Sequence, residues 1–178
     1  MIIKSNAIII FGSYRKAGNT RNLIEDIFKG TNVDLLDLNE YEIKPYDYQH
    51  NNTDDQFIEV IEHLLQYDTW IIATPVYWSN MSLQHKIFFD RFTDLLQIRK
   101  DLGRKLEGKN IYLIGTFSSH HGDALEILIK DISYYFKMNY QGCQFFYNGR
   151  NTDLLEQDQK KIEEFREKFS AGRLTGKE

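Results

Sequence analysis

The sequence predicts an α/β fold, a five-stranded parallel sheet with helices on both faces. Three observations carry this. Short β-rich runs alternate five times with segments whose apolar residues recur at helical spacing, the order produced when right-handed crossovers join parallel strands. The first and third runs, Ala7-Ile8-Ile9-Ile10-Phe11 and Thr69-Trp70-Ile71-Ile72-Ala73-Thr74, are almost continuously apolar, as central strands covered on both sides must be. The three unusual loops all follow strands, which gathers them at the carboxyl edge of the sheet.

The chain enters its first strand through Met1-Ile2-Ile3-Lys4-Ser5-Asn6 without the apolar core and cleavage site of a secretory leader, which points to the cytoplasm. A loop from Gly12 to Thr20 then leads into a helix over Arg21 to Lys29, and Val33 to Leu38 reads as the second strand. The long, tyrosine-rich connection from Asn39 to Thr53 has a length that often serves function, and it is a candidate to cover a ligand. Thr53 with Gln56 forms a capping-box signature before a helix whose Phe57, Val60, Ile61, Leu64 and Leu65 share one face.

Pro75 ends the third strand, and the loop to Met81 leads to a helix starting near Ser82, with Leu83, Ile87, Phe88, Leu95 and Leu96 on its buried side. Ile111 to Thr116 is the fourth strand and Phe117 to Gly122 its terminal loop. Asp123 with Glu126 reads as another capping box, opening a helix with the stripe Leu125, Leu128, Ile129, Ile132, Tyr135 and Phe136. A weaker fifth strand lies at Cys143 to Tyr147, and Asp153 with Glu156 starts a last helix carrying Ile162, Phe165 and Phe169.

At 178 residues the chain is long enough to bury a core without disulfides or metals, and we expect one domain over residues 1–171 with a frayed tail at 172–178. Its formal charge of −4 and scattered Lys and Arg argue against a nucleic-acid partner. No apolar run approaches the length of a membrane span. Cys143 is the only cysteine, so no intrachain disulfide can form, and it reads as a small buried apolar residue.

The chemistry is concentrated in Gly12-Ser13-Tyr14-Arg15-Lys16-Ala17-Gly18-Asn19-Thr20. Two glycines permit close backbone approaches, and a helix opening near Asn19 turns its unsatisfied N–H groups toward the loop. Ser13, Asn19 and Thr20 add neutral donors, and Arg15 adds a permanent cation whose fork suits phosphate oxygens. The loop therefore reads as a cradle for a phosphate monoester, against the plainer alternative of a polar turn capped by Asn19 or Thr20. The nucleoside triphosphate loop is excluded because no Lys-Ser or Lys-Thr pair follows the second glycine, and the dinucleotide fingerprint G-x-G-x-x-G is absent.

GSYRKAGNT followed by TPVYWSNMSLQHKIFFDR resembles the NAD(P)H-dependent FMN reductase branch of the flavodoxin-like superfamily, over nearly the whole chain. The resemblance implies a three-layer sandwich with sheet order 2-1-3-4-5. It implies a phosphate loop at Ser13, Arg15, Gly18, Asn19 and Thr20, and a first isoalloxazine loop at Pro75, Val76, Tyr77 and Trp78. A second flavin loop would run from Thr116 to Gly122, with Thr116, Ser118, Ser119 and Gly122 as contacts, although this segment departs from the family's glycine-rich pattern. Related iron-sulfur flavoproteins carry a cysteine cluster between the second strand and second helix; this chain has none there, so electrons are expected to pass through flavin alone.

The resemblance implies FMN as cofactor, NADH or NADPH as transient reductant, and a small-molecule electron acceptor such as a flavin, quinone, nitro or azo compound. Backbone N–H groups of the second and third loops would meet the ring, and no side chain need act as acid, base or nucleophile. A homodimer is expected, with Tyr134, Tyr135, Phe136 and Tyr140 available for an interface or for the core. Lys86, Asp90 and Arg91 match a family pattern but read as structural charge pairs. His120 and His121 read as a solvated polar turn rather than as a proton donor or metal site. Two other functions stay open: a flavodoxin-like electron carrier, and a non-redox module that holds FMN for stability.

Overall fold

The computed structural model describes residues 6–119, 122–149 and 152–170, with side chains of the last helix described from 156 to 166. Strands β1 (Ala7–Phe11), β2 (Asp34–Asp37), β3 (Thr69–Pro75), β4 (Asn110–Phe117) and β5 (Asn139–Tyr147) form one sheet in the order β2-β1-β3-β4-β5. Every neighbouring pair is parallel. From β1 the chain moves outward to β2 and then crosses back to β3 on the other side, so the loops that leave β1 and β3 diverge. A crevice opens between them at the carboxyl edge.

Alternation along the central strands sends side chains to two separate cores. Ile8, Ile10, Trp70 and Ile72 pack on one face beneath α2 (Phe57–Leu64), α3 (Leu83–Asp90), α4 (Phe92–Gln97), α5 (Lys100–Gly103) and α6 (Asp123–Phe136). Ile9, Phe11, Ile71 and Ala73 pack on the other beneath α1 (Asn19–Ile27) and α7 (Thr152–Ser170). Phe165 of α7 fixes that second layer through edge-on contacts with Phe28, at 6.3 Å between ring centroids, and with Tyr112, at 5.0 Å. The buried Trp70 indole keeps its polar atom satisfied by donating to the Leu64 carbonyl at 2.9 Å, which ties β3 to the end of α2.

The order of elements is the expected one, while several local expectations are corrected. The Thr53–Gln56 capping box does not form: α2 begins at Phe57, because Gln56 is engaged with Glu42 instead, its N–H on the Glu42 carbonyl and its Oε1 accepting the Glu42 N–H, both at 2.9 Å. Nor do Asp123 and Glu126 form one. Gly122 is the cap of α6, and Glu126 faces along the helix to Lys130 at 2.7 Å and across to the Tyr140 hydroxyl at 3.2 Å.

The segment after Ser82 is three short helices rather than one, and Leu83 and Leu96 are exposed. Its buried face is His85, Phe88, Phe89, Phe92 and Leu95; the three phenyl rings pack edge to face on one another, and Phe92 meets Phe136 of α6 the same way at 5.3 Å. β5 starts four residues earlier than the weak apolar signal, and Cys143 on it is half-buried. His120, His121, the tail at 172–178 and the side chains of Asp153 and Phe169 lie outside the described residues.

Candidate functional site

The loop after β1 is held from below and from the side. Gly12 still bonds the Ala73 carbonyl at 3.3 Å, and a Cβ there would stand 2.6 Å from His85 Nδ1, so the chain can turn over α3 only with glycine at this position. Ser13 is buried; its Oγ accepts the Arg15 N–H at 3.3 Å, and its carbonyl accepts Asn39 Nδ2 at 2.8 Å. Asn39 also donates to Asp37 Oδ1 at 2.7 Å and accepts from Gln84 at 3.0 Å. One amide thus clips the loop to the end of β2 and to α3.

α1 opens at Asn19 with Gly18 as its cap, no capping side chain and no acidic residue in the first turn. Its free N–H groups therefore present a partial positive charge with no internal partner to quench it. Arg15 is exposed and, among the described residues, its guanidinium has no carboxylate partner. By contrast, α3 is capped by Ser82, whose Oγ accepts the His85 N–H. The sequence spends a cap where the helix end is buried and leaves one open where the cavity lies.

The loop after β3 is a tight hairpin. Tyr77 and Asn80 exchange both main-chain bonds, at 2.8 and 2.9 Å, around Trp78 and Ser79 with φ of 52° and 60°. Two successive positive φ values are those of a type I′ turn, which normally takes Asn or Gly, so a bulky Trp78 sits there under strain. Trp78 is 98% exposed. Val76 N–H bonds the Thr116 carbonyl at 2.7 Å and Tyr77 N–H bonds the Asn80 carbonyl at 2.8 Å, so these two amides are engaged within the chain. Among the described residues of this loop, the N–H groups left without a partner are those of Trp78 and Ser79.

Together the loops enclose a cavity of about 330 Å³ at the carboxyl edge, within the range of small-molecule sites. The first loop contributes Ser13, Arg15, Gly18, Asn19 and Thr20, and the second Pro75, Val76 and Tyr77. Thr116, Phe117 and Ser118 come from the end of β4, and Asn148 from beyond β5. Trp78, Ser119 and Gly122, named with these residues from the sequence, do not line it. Gly122 has another role: a Cβ there would overlap the Phe145 ring, as one at Gly115 would at 2.5 Å, so both glycines admit that ring to the core.

Among the described residues, Arg15 is the one charged residue in the lining. One end of the cavity is thus an uncapped helix terminus with a cation and three hydroxyl or amide side chains; the other is proline, valine, tyrosine and phenylalanine. That donor set fits a phosphorylated, flat, largely apolar guest such as FMN. At the floor, Thr20 Oγ1 and Thr116 Oγ1 lie 2.6 Å apart and join the first loop to the third.

Beneath the floor runs a buried chain of polar groups. His85 Nε2–H donates to the Ile10 carbonyl at 3.1 Å, which sets the tautomer, and Nδ1 then accepts from Ser82 Oγ at 3.1 Å. Ser82 N–H bonds Thr74 Oγ1 at 3.0 Å, and Thr74 Oγ1–H donates to the Pro75 carbonyl at 3.1 Å. Complete burial pushes His85 down to about 4, against smaller opposing pulls from the Ile10 and Gly12 backbone and Asp37, so the ring is neutral. His85 links the start of the first loop to the start of the second, a role that no local pattern signals.

The long connection is no lid. Arg91, buried beneath it, pairs with Asp55 and with Asp94 at 2.6 Å, donates to the carbonyls of Lys44 and Asn52, and lies 4.7 Å over the Phe57 ring. His50 adds a second tie, with Nδ1 2.7 Å from Asp94 and Nε2 2.8 Å from Gln97, and these bonds raise its pKa, the Asp94 bond most. None of residues 41–55 lines the cavity. Among the described residues, no three His, Cys, Asp or Glu side chains converge as metal ligands.

Comparisons with known proteins agree with this architecture. A protein of Bacillus subtilis (strain 168), YwqN, assigned as an NAD(P)H-dependent FMN-containing oxidoreductase, is 28% identical over 162 residues, covering 85% of this chain and 90% of the relative. A Bacillus subtilis structure described as Trp repressor binding protein superposes with a TM-score of 0.67 at 26% identity, over 96% of this chain and 99% of that one. The general stress protein 14 of Treponema denticola, in complex with FMN, shares the fold with a TM-score of 0.62 at 13% identity, over 93% and 96% of the two chains. Residues 5–153 match the sequence model of the NADPH-dependent FMN reductases, and the chain therefore belongs to that family.

Proposed function

We propose that this cavity holds FMN and that the protein passes reducing equivalents from NADH or NADPH through it to a small acceptor, a free flavin, quinone, nitro or azo compound. The observation that carries the reading is the polarity of one continuous cavity, cationic and donor-rich at Arg15 and the α1 terminus and apolar at Pro75, Val76, Tyr77 and Phe117. Bound FMN supplies the hydride chemistry, accepting two electrons from nicotinamide and giving them up to the acceptor.

The chain's own contribution is binding, alignment and exclusion. Ser13, Asn19, Thr20 and the first N–H groups of α1 would hold the phosphate, with Arg15 balancing its charge. Pro75, Val76 and Phe117 would wall the ring, and Tyr77, half-exposed, would narrow the space through which nicotinamide and acceptor approach. Among the described residues the lining offers no carboxylate, imidazole or thiol to take or deliver a proton, and proton exchange would be with solvent. The exposed Tyr134 and Tyr135 at the end of α6 suit a homodimer contact, which equilibrium sedimentation would test.

The test is anaerobic mixing of the FMN-loaded protein with NADH or NADPH. Loss of flavin absorbance within the turnover time, followed by recovery with quinone or free flavin, is the expected result. Flavin that binds tightly yet is reduced only by a protein partner would overturn the reductase reading in favour of an electron carrier.

A further inference from the structure

A second cavity, of about 300 Å³, opens on the far side of the phosphate end, between α1, the end of β5 and α7. It shares Asn19, Thr116 and Asn148 with the first cavity, so the two meet where the phosphate would sit. Nothing in the proposed FMN chemistry uses it. Its walls are Leu23, Tyr147 and Ile162, with buried Phe146 among them, surfaces that suit a flat ring, while Asn22 adds an amide to the shared Asn19 and Asn148. At its base is buried Asp158, which accepts the Tyr147 N–H on one oxygen and Lys161 at 2.8 Å on the other.

A carboxylate with two donors still has lone pairs to offer, and it repels phosphate. Amides that both donate and accept, apolar walls and one acceptor-rich carboxylate match a nucleoside: a purine between aliphatic and aromatic faces, with ribose hydroxyls or an exocyclic amine as donors.

We infer that the second cavity receives the adenosine half of FAD, so that the protein accepts FAD as well as FMN, with the flavin in the first cavity and the pyrophosphate at the shared border. This rests on the flavin reading of the first cavity. The adenosine of a nicotinamide dinucleotide is the less suitable occupant, because the second cavity adjoins the phosphate end and not the ring end.

Calorimetric titration of the apoprotein with FMN and with FAD tests it, alongside Asn22→Trp, which fills the second cavity from an exposed position outside the first. The expected result is FAD affinity within about tenfold of FMN for the wild type, and in the variant a further loss of about tenfold or more for FAD with FMN unchanged. FMN binding with FAD weaker by about a hundredfold or more, or a variant that leaves FAD untouched or weakens both alike, overturns the inference. A wild type that binds neither flavin overturns the parent reading instead.

Discussion

Thr20 and Thr116, 96 residues apart in sequence, meet through their hydroxyls at 2.6 Å in the buried floor of the cavity. Only one of the two can donate to the other, so the pair keeps one O–H for a ligand and fixes the spacing of the loops after β1 and β4. Thr20→Val and Thr116→Val each remove that bond while nearly conserving shape. Each is expected to weaken FMN binding by about 1 kcal/mol, and the double variant by clearly less than the sum, because the second substitution finds the bond already gone. Strictly additive losses in calorimetric titration would show that the hydroxyls act separately.

Arg15 is the lining residue whose charge has no internal use. Arg15→Gln is expected to lower FMN affinity by about 1 kcal/mol, the scale of an exposed charge-assisted contact, and to leave riboflavin affinity unchanged. The wild-type preference for FMN over riboflavin should also shrink as ionic strength rises, since the guanidinium is exposed and screened. Equal losses for both flavins would remove the phosphate from the first loop.

The first loop was legible because its chemistry is contiguous: nine residues carry the glycines, the cation and the hydroxyls, and they sit between a strand and a helix whose signals were strong. Asn148 was not, because its membership depends on the β4–β5 register, in which Thr116 pairs with Phe146 and Phe117 with Tyr147, a relation between segments that no local pattern encodes. His85 escaped for a different reason. Hydropathy placed Leu83 on the buried stripe, whereas the helix turns a polar ring inward, satisfied at both nitrogens, and leaves the leucine in solvent. Composition around a helix reveals its apolar face only when the polar residues on that face have no buried partners to meet.

Arg91 is the centre of the strap over α3 and α4, and removing it leaves two buried carboxylates, Asp55 and Asp94, without their cation. Arg91→Met is expected to cost about 3–5 kcal/mol in urea unfolding, the scale of an orphaned buried charge, while the folded fraction binds FMN as the wild type does, because nothing in the strap lines the cavity. Lost FMN affinity in folded Arg91→Met would mean that the strap reaches the site.

His85 makes stability depend on pH in a direction that can be stated. Its folded pKa of about 4 lies below the 6.5 of the free side chain, so the unfolded chain binds its proton first on acidification. Its contribution is fully present above about pH 6.5 and is lost as the pH falls toward 4, to an extent of about 3 kcal/mol. The shifted carboxylates Asp47, Asp54, Asp101 and Glu126 also lose their contributions on acidification, but their ordinary pKa values of 3.8 to 4.5 confine that loss to lower pH. His50, held above its ordinary pKa chiefly by Asp94, works in the opposite sense: its contribution is present below about pH 6.5 and fades as the pH rises through its folded value. His85→Gln retains an amide donor for the Ile10 carbonyl without a titrating ring. Between pH 6.5 and 4.5 its unfolding free energy should therefore fall less steeply than that of the wild type, and His50→Gln should flatten the curve above pH 6.5. Parallel curves for wild type and His85→Gln through the acid window would mean that the ring is already protonated in the fold, and would remove the neutral imidazole from beneath the first loop.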